Sequence, residues 1–239
     1  IQPDSLRILH NPLTGWVLYA SMGVDAADFW AQYDHMYIPE LGHNVSVTDY
    51  AHTLYIRASW TDFNPQEDVY GWKIDSNLRA YIEGAYQRNM RLAFRVVVDS
   101  RDKRTEFTPQ FVKDAGAKGF MNKGKWSPYS DDSVFQKYYT KFVKALAKDF
   151  NDPSKVEFID GFGLGKWGEY HTMIYSTGDD TPKKAVFDWV TDIYSQAFDK
   201  VPVVINYHRW IGAGKDWVDD EHFAADSEEM LEEAIKKGY

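Results

Sequence analysis

The stretch Val156-Glu157-Phe158-Ile159-Asp160-Gly161-Phe162-Gly163-Leu164-Gly165-Lys166-Trp167-Gly168-Glu169-Tyr170-His171 decides how this chain reads. An apolar run turns abruptly into a segment rich in glycine and aromatic residues around one carboxylate. The run reads as a buried strand, and the glycines mark where the backbone leaves it. In parallel α/β proteins, ligands sit beyond the carboxyl ends of the strands. That places Glu169 where chemistry is done. Trp167 and Tyr170 flank it, and both are suited to stack on a sugar ring and to dry the carboxylate.

Outward from this stretch, strand-like and helix-like segments alternate along the chain. Residues 15–20 are a short apolar, aromatic run, and Asp25 is placed to cap a helix over residues 25–33. Residues 53–60 read as a second strand. Leu78, Tyr81, Ile82, Ala85 and Tyr86 then recur at helical spacing after Asp75, a natural N-cap. Residues 91–98, 156–164 and 201–207 read as the third, fourth and fifth strands. Phe135, Tyr139, Phe142 and Leu146 stripe one intervening helix. Thr181-Pro182 opens the next, with Pro at its first position. Asp226-Ser227-Glu228-Glu229 resembles a capping box, after which Met230, Leu231, Ala234 and Ile235 face inward before Gly238. The connection over residues 99–132 far exceeds the usual two to six residues, which predicts a functional lid.

Five βα units in a row predict a parallel sheet with helices outside. A barrel fits better than a doubly wound sheet, because no glycine-rich dinucleotide turn follows the first strand. A complete barrel has eight units in about 250 residues, and here long loops use up the length after about five. The expected fold is therefore a parallel (β/α)8 TIM-type barrel, incomplete within residues 1–239. On this reading residues 1–239 are expected to be the N-terminal part of a single barrel domain of catalytic type, with the remainder supplied by the same or another chain.

Composition narrows the function classes. Aromatic residues make up 16% of the 239 residues, with nine Trp and sixteen Tyr, and such rings form the faces on which sugars stack. A net charge of −9 argues against nucleic acid and anionic membrane surfaces, which call for basic patches. No Cys is present, which excludes disulfides, thiolate catalysis and zinc–thiolate sites. No apolar run approaches the roughly 18 residues of a membrane span. The chain begins at Ile1 without an initiator Met, and Asn44-Val45-Ser46 fits the glycosylation pattern. The absent Met leans toward a secreted, periplasmic or cell-surface setting, whereas a glycosylation match of this kind is common by chance.

The pattern resembles the retaining glycoside hydrolases of the large (β/α)8 superfamily called clan A, in particular its β-galactosidase-like members. Tyr55-Ile56-Arg57-Ala58-Ser59-Trp60, followed by Asn64-Pro65-Gln66-Glu67-Asp68-Val69-Tyr70-Gly71-Trp72, is similar to their second-strand segment. Ser127-Pro128-Tyr129 and the aromatic helix to Phe150 resemble the approach to strand four. Gly165-Lys166-Trp167-Gly168-Glu169 then sits where the family carries its acid/base Glu, with Gly168 in place of the usual Asn. The resemblance implies a glycosidase with Glu169 as acid/base, an oligo- or polysaccharide substrate, and no cofactor or metal. The family's nucleophilic Glu lies at the end of strand seven, and no strand seven is found here.

Several further residues are candidates for substrate binding. Arg57 and Arg95 lie in apolar strand runs, where a charge is costly unless paired. They either pair with Asp62 or Asp99 as structural ion pairs, or hold a catalytic carboxylate or sugar hydroxyls. Asp99 ends the third strand and is placed for a sugar hydroxyl or for a cap on the next turn. Asn206 and His208 end the fifth strand on one side, and with Glu169 and His171 they would form a polar ring at the barrel mouth. Trp16 lies in the first strand, and Trp60, Trp126, Trp167 and Trp210 are candidate stacking platforms. Three hypotheses compete: a glycosidase, a carbohydrate-binding barrel without a second carboxylate, and a metal-assisted hydrolase. The last would use His171, His208, Asp99 and Glu169, although no tight ligand spacing supports it.

Overall fold

The computed structural model of the chain describes residues 15–20, 22–101, 103, 105–170, 172–205 and 228–239. In chain order its elements are β1 (Trp16–Tyr19), α1 (Ala26–Asp34), β2 (Met36–Ile38), β3 (His43–Val45), β4 (Ala51–Ser59), α2 (Trp60–Phe63), α3 (Gly71–Ile74), α4 (Ser76–Gln87) and β5 (Arg91–Val97). They continue with α5 (Gln110–Asp114), β6 (Gly119–Asn122), β7 (Lys125–Pro128), α6 (Ser133–Phe150), β8 (Val156–Asp160), α7 (Lys183–Ala197), β9 (Val203–Val204) and α8 (Glu228–Lys236).

Five strands form one sheet in the order β1-β4-β5-β8-β9, with every pairing parallel. Each new strand joins the same growing edge, so the sheet has no point where strand order reverses. A doubly wound fold requires such a reversal, whereas a barrel is wound in one direction. The sheet is thus an open part of a parallel (β/α) barrel. No helix among the described residues is long and apolar enough to cross a membrane.

Strand alternation sorts the two faces. On β4, Leu54, Ile56 and Ala58 are buried beneath the helices. Thr53, Tyr55, Arg57 and Ser59 take the opposite face. The register pairs Arg57 with Arg95 and Arg95 with Asp160. One row across three strands therefore carries three charged side chains on the inner face. The α6 stripe of Phe135, Tyr139, Phe142 and Leu146 is fully buried against the outer face. Asp25 caps α1 by accepting from Ala27 N, and Asp75 caps α4 by accepting from Leu78 N at 2.7 Å.

Several expectations are corrected. Trp60 does not end the second sheet strand but begins α2. A capping box forms there, with Ser59 Oγ accepting from Asp62 N at 2.9 Å and Asp62 accepting from Ser59 N at 3.1 Å. The fourth strand stops at Asp160, because Gly161 opens an irregular segment. The connection over residues 99–132 is not a bare loop: it holds α5 and the β6–β7 hairpin. That hairpin turns at Lys123 and Gly124, both at positive φ, as a two-residue hairpin loop demands. Pro182 is the N-cap of α7 rather than its first residue. Ile235 is 58% exposed, so only Met230 and Ala234 of its group are buried. The capping-box residues Asp226 and Ser227, and most of the fifth strand's predicted end, lie outside the described residues.

Candidate active site

The site grows from the point where β8 ends. Gly161 N donates to Val204 O at 2.8 Å, and Val98 N donates to Gly163 O at 3.1 Å, so the chain leaves the strand while still bound to both neighbours. Gly163 has φ +74, and a Cβ there would fall 2.2 Å from Val96 O. Only glycine permits that approach. The segment then folds back, closed by Tyr170 N donating to Leu164 O at 2.8 Å. Trp167, Tyr170 and Thr172 all sit at positive φ, between 51° and 64°. Left-handed backbone at three residues with side chains stores strain, which such structures carry mainly at functional sites.

This folding brings Glu169 over the inner-face charge row. Arg95 Nη1 donates to Glu169 Oε1 at 2.9 Å, and Arg57 Nη2 lies 3.9 Å from the same oxygen. Arg57 Nη2 also donates to Trp167 O at 2.6 Å, which holds the strained tryptophan in place. The Glu169 side chain is 31% exposed, against 15% for Arg95 and 22% for Arg57. A carboxylate that is open to solvent is thus held from below by two guanidinium groups. Beneath it, Arg95 Nε and Nη2 both engage Asp160 Oδ2, and the Tyr55 hydroxyl donates to that oxygen at 3.3 Å. Burial pushes the Asp160 carboxyl up, while Arg95 and the Tyr55 hydroxyl pull it back. Burial also works against the Arg95 charge, but Asp160 beside it outweighs this and moves Arg95 up. The Tyr55 hydroxyl is raised by burial and by the Asp160 charge.

The predicted residues divide. Glu169, Arg95, Arg57 and Trp167 are brought together. Trp167 is 38% exposed, with Lys166 Nζ 4.5 Å from its ring centroid. Neither arginine pairs with Asp62 or Asp99: Asp62 caps α2, and both arginines turn to Glu169 instead. Asp99 is buried, accepting from Arg101 N at 2.8 Å and from Arg101 Nε at 2.7 Å. It therefore fixes the turn after β5 rather than facing the mouth. Trp60 is fully buried among Phe111, Phe135, Tyr139 and Phe142 on the outer face, away from the site. Trp126 is also buried. Trp16 is 75% exposed but begins β1. Since Trp16 pairs with Ala51, six residues before Arg57, it lies roughly 20 Å down-strand from the Arg57 row, at about 3.3 Å per residue. Tyr170 is buried and cannot stack on a ligand. His171, Asn206, His208 and Trp210 lie outside the described residues.

Asp160 and Tyr55 also belong to the cluster, although neither is among the sequence candidates. The signal for Asp160 was the same as for the arginines, namely a charge inside an apolar strand run.

No family model and no curated protein sequence matches the chain. Among solved structures it is similar to xylanase B from Clostridium stercorarium, at 13% identity over 78% of this chain and 50% of that chain, with a TM-score of 0.44. It is similar to xylanase 10B from Thermotoga maritima, at 12% identity over 80% of this chain and 48% of that chain, with a TM-score of 0.44. It is also similar to an exo-β-1,4-mannosidase from an Opitutaceae bacterium, at 15% identity over 84% of this chain and 33% of that chain, with a TM-score of 0.49. The chain spans a third to a half of the length of these proteins. The fold assignment rests on the strand order itself.

Proposed function

We propose that this chain carries the acid/base carboxylate, Glu169, of a glycoside hydrolase acting on a β-linked oligo- or polysaccharide. The observation that carries the reading is the geometry of Glu169. It stands beyond the carboxyl end of a parallel sheet, open to solvent, and is oriented by Arg95 at 2.9 Å with an exposed tryptophan beside it. In glycoside hydrolysis one carboxylic acid protonates the leaving oxygen and a second carboxylate acts as nucleophile or base. In this reading Glu169 gives its proton to the glycosidic oxygen and later recovers one from water. Arg95 and Arg57 stabilise the carboxylate left after the first transfer. Trp167 offers a face to the sugar. The resemblance to β-galactosidase-like members of clan A supports the same assignment, and it implies a second carboxylate on a strand beyond the five described.

The test is Glu169→Gln in the full-length protein, assayed on β-linked oligosaccharides and on aryl glycosides. Turnover of the unactivated substrates should fall by about 10²-fold or more, the usual scale of general acid–base help. Substrates with good leaving groups need less protonation and should lose less. Equal turnover by variant and parent would remove Glu169 from the reaction. Sugar binding without turnover in the parent would favour a carbohydrate-binding barrel instead.

A further inference from the structure

Asp160 lies on the inner face, directly below the site, with a side chain only 6% exposed. Arg95 directs two of its nitrogens, Nε and Nη2, to one oxygen, Oδ2, and the Tyr55 hydroxyl donates to the same atom. The other oxygen, Oδ1, is buried without a hydrogen-bond partner among the described residues. As a stabilising device this arrangement is poor. It takes an anion out of water, and among the described residues only one of its two oxygens has a hydrogen-bond partner. Replacing a buried ion pair by well-packed apolar residues is often neutral or stabilising. What the charge does supply is direction. A guanidinium is a rigid planar fork, so anchoring Nε and Nη2 from below aims Nη1 upward, where it meets Glu169 Oε1 at 2.9 Å.

We propose that Asp160 is a positioning residue, which through Arg95 sets both the direction and the effective charge of the cation facing Glu169. This role rests on the reading of Glu169 as the reacting carboxylate. Among the described residues, Arg57 and Tyr55 from β4 also face the pair, and Lys166 of the Glu169 loop stands over the Trp167 ring. The hydroxyls of Tyr139, Tyr194 and Tyr239 feel the Asp160 charge from the helical side. With Asp160 ionised, the Arg95 charge is shared between two acids. Without it, the whole charge acts on Glu169 and the fork loses its anchor.

The experiment follows the carboxyl carbons by 13C NMR in the full-length protein, together with the pH profile of kcat/KM. In Asp160→Asn, the alkaline limb of the kcat/KM profile should move to lower pH. The kcat should fall by about 10-fold to 10²-fold, the scale of a misplaced catalytic group, with KM changed little. Glu169 is partly exposed, so Glu169→Gln provides a folded variant whatever Asp160→Asn does. Coupling between two sites is reciprocal, so in Glu169→Gln the Asp160 titration should also move to lower pH. An unmoved Asp160 titration there, or an unmoved alkaline limb in folded Asp160→Asn, overturns the proposal. Coupled titrations in a protein whose Glu169→Gln variant keeps full turnover would support the positioning and defeat the acid/base reading instead.

Discussion

Replacing Trp60 tests whether its ring serves the core or the sugar. The indole is fully buried, with ring centroids of Tyr139 at 5.2 Å, Phe142 at 5.8 Å, Phe135 at 6.0 Å and Phe111 at 6.3 Å. A buried aromatic removes about 150–250 Å² from water. At about 25 cal/mol per Å² that burial is worth about 4–6 kcal/mol, in line with the roughly 3–5 kcal/mol measured for aromatic-to-Ala changes in cores. Trp60→Ala should therefore lose about 4 kcal/mol, a large part of the roughly 5–15 kcal/mol that holds a domain folded. Trp60→Phe should behave differently. The indole Nε1 is buried without a hydrogen-bond partner among the described residues. Removing that donor recovers about 1–3 kcal/mol of desolvation, which offsets a packing loss of similar size. The net change should be within about 1.5 kcal/mol, given that both terms are of order 1–3 kcal/mol. Urea unfolding of the full-length variants, followed by far-UV circular dichroism, reads both numbers. A Trp60→Ala variant that loses less than about 1 kcal/mol, well under the core range, while its KM for oligosaccharide rises, would refute the core assignment.

Gly168 has φ +75, and a Cβ there would lie 3.3 Å from Val97 Cγ2 and 3.4 Å from Arg95 Cδ. Gly168→Ala should therefore cost about 1–2 kcal/mol of left-handed strain and lower kcat by displacing Glu169, measured by urea melts and initial rates. The Asp34 carboxyl is held below its usual range by hydrogen bonds from Arg88, whose Nε donates at 2.8 Å. A depressed acid adds stability above its unfolded pKa, near 4, and loses it as pH falls through the folded value. The stability gap between parent and Asp34→Asn should thus be present at neutral pH and close below about pH 4; a gap that persists unchanged at pH 3 would contradict the pairing. Tyr19 at 51% and Val204 at 38% exposure leave apolar surface on the two outermost strands of the sheet. Edges that no described element covers invite pairing between chains, so residues 1–239 expressed alone should self-associate in sedimentation velocity, and a monodisperse monomer would count against an open sheet.

Much of the architecture was legible because it depends on local pattern. Strand runs, helical stripes and the caps at Asp25 and Asp75 all use residues within a turn or two of each other. The β6–β7 hairpin was missed although Asn122-Lys123-Gly124-Lys125 carries a turn signal, because the length of the connection drew attention to a lid. Trp60 and Trp126 turn out to be core for a reason that local pattern does not carry. A ring that stacks on a sugar and a ring that fills a core have the same composition, and only the packing of α6 against the sheet separates them.

The sequence by itself determined the parallel succession of βα units, and it singled out Glu169 at the end of one strand and Arg57 and Arg95 within two others. Hydrophobic periodicity and glycine placement act along the chain, so they can be read there. Partnership could not be read. Arg95 meets Asp160, 65 positions away, because parallel register aligns them, and it meets Glu169, 74 positions away, because the segment after β8 folds back. The sequence offered Asp62 and Asp99 as equally plausible partners. Register and the fold-back of the Glu169 loop are set by many weak contacts summed across the sheet, and only the tertiary structure decides which charges they bring within reach.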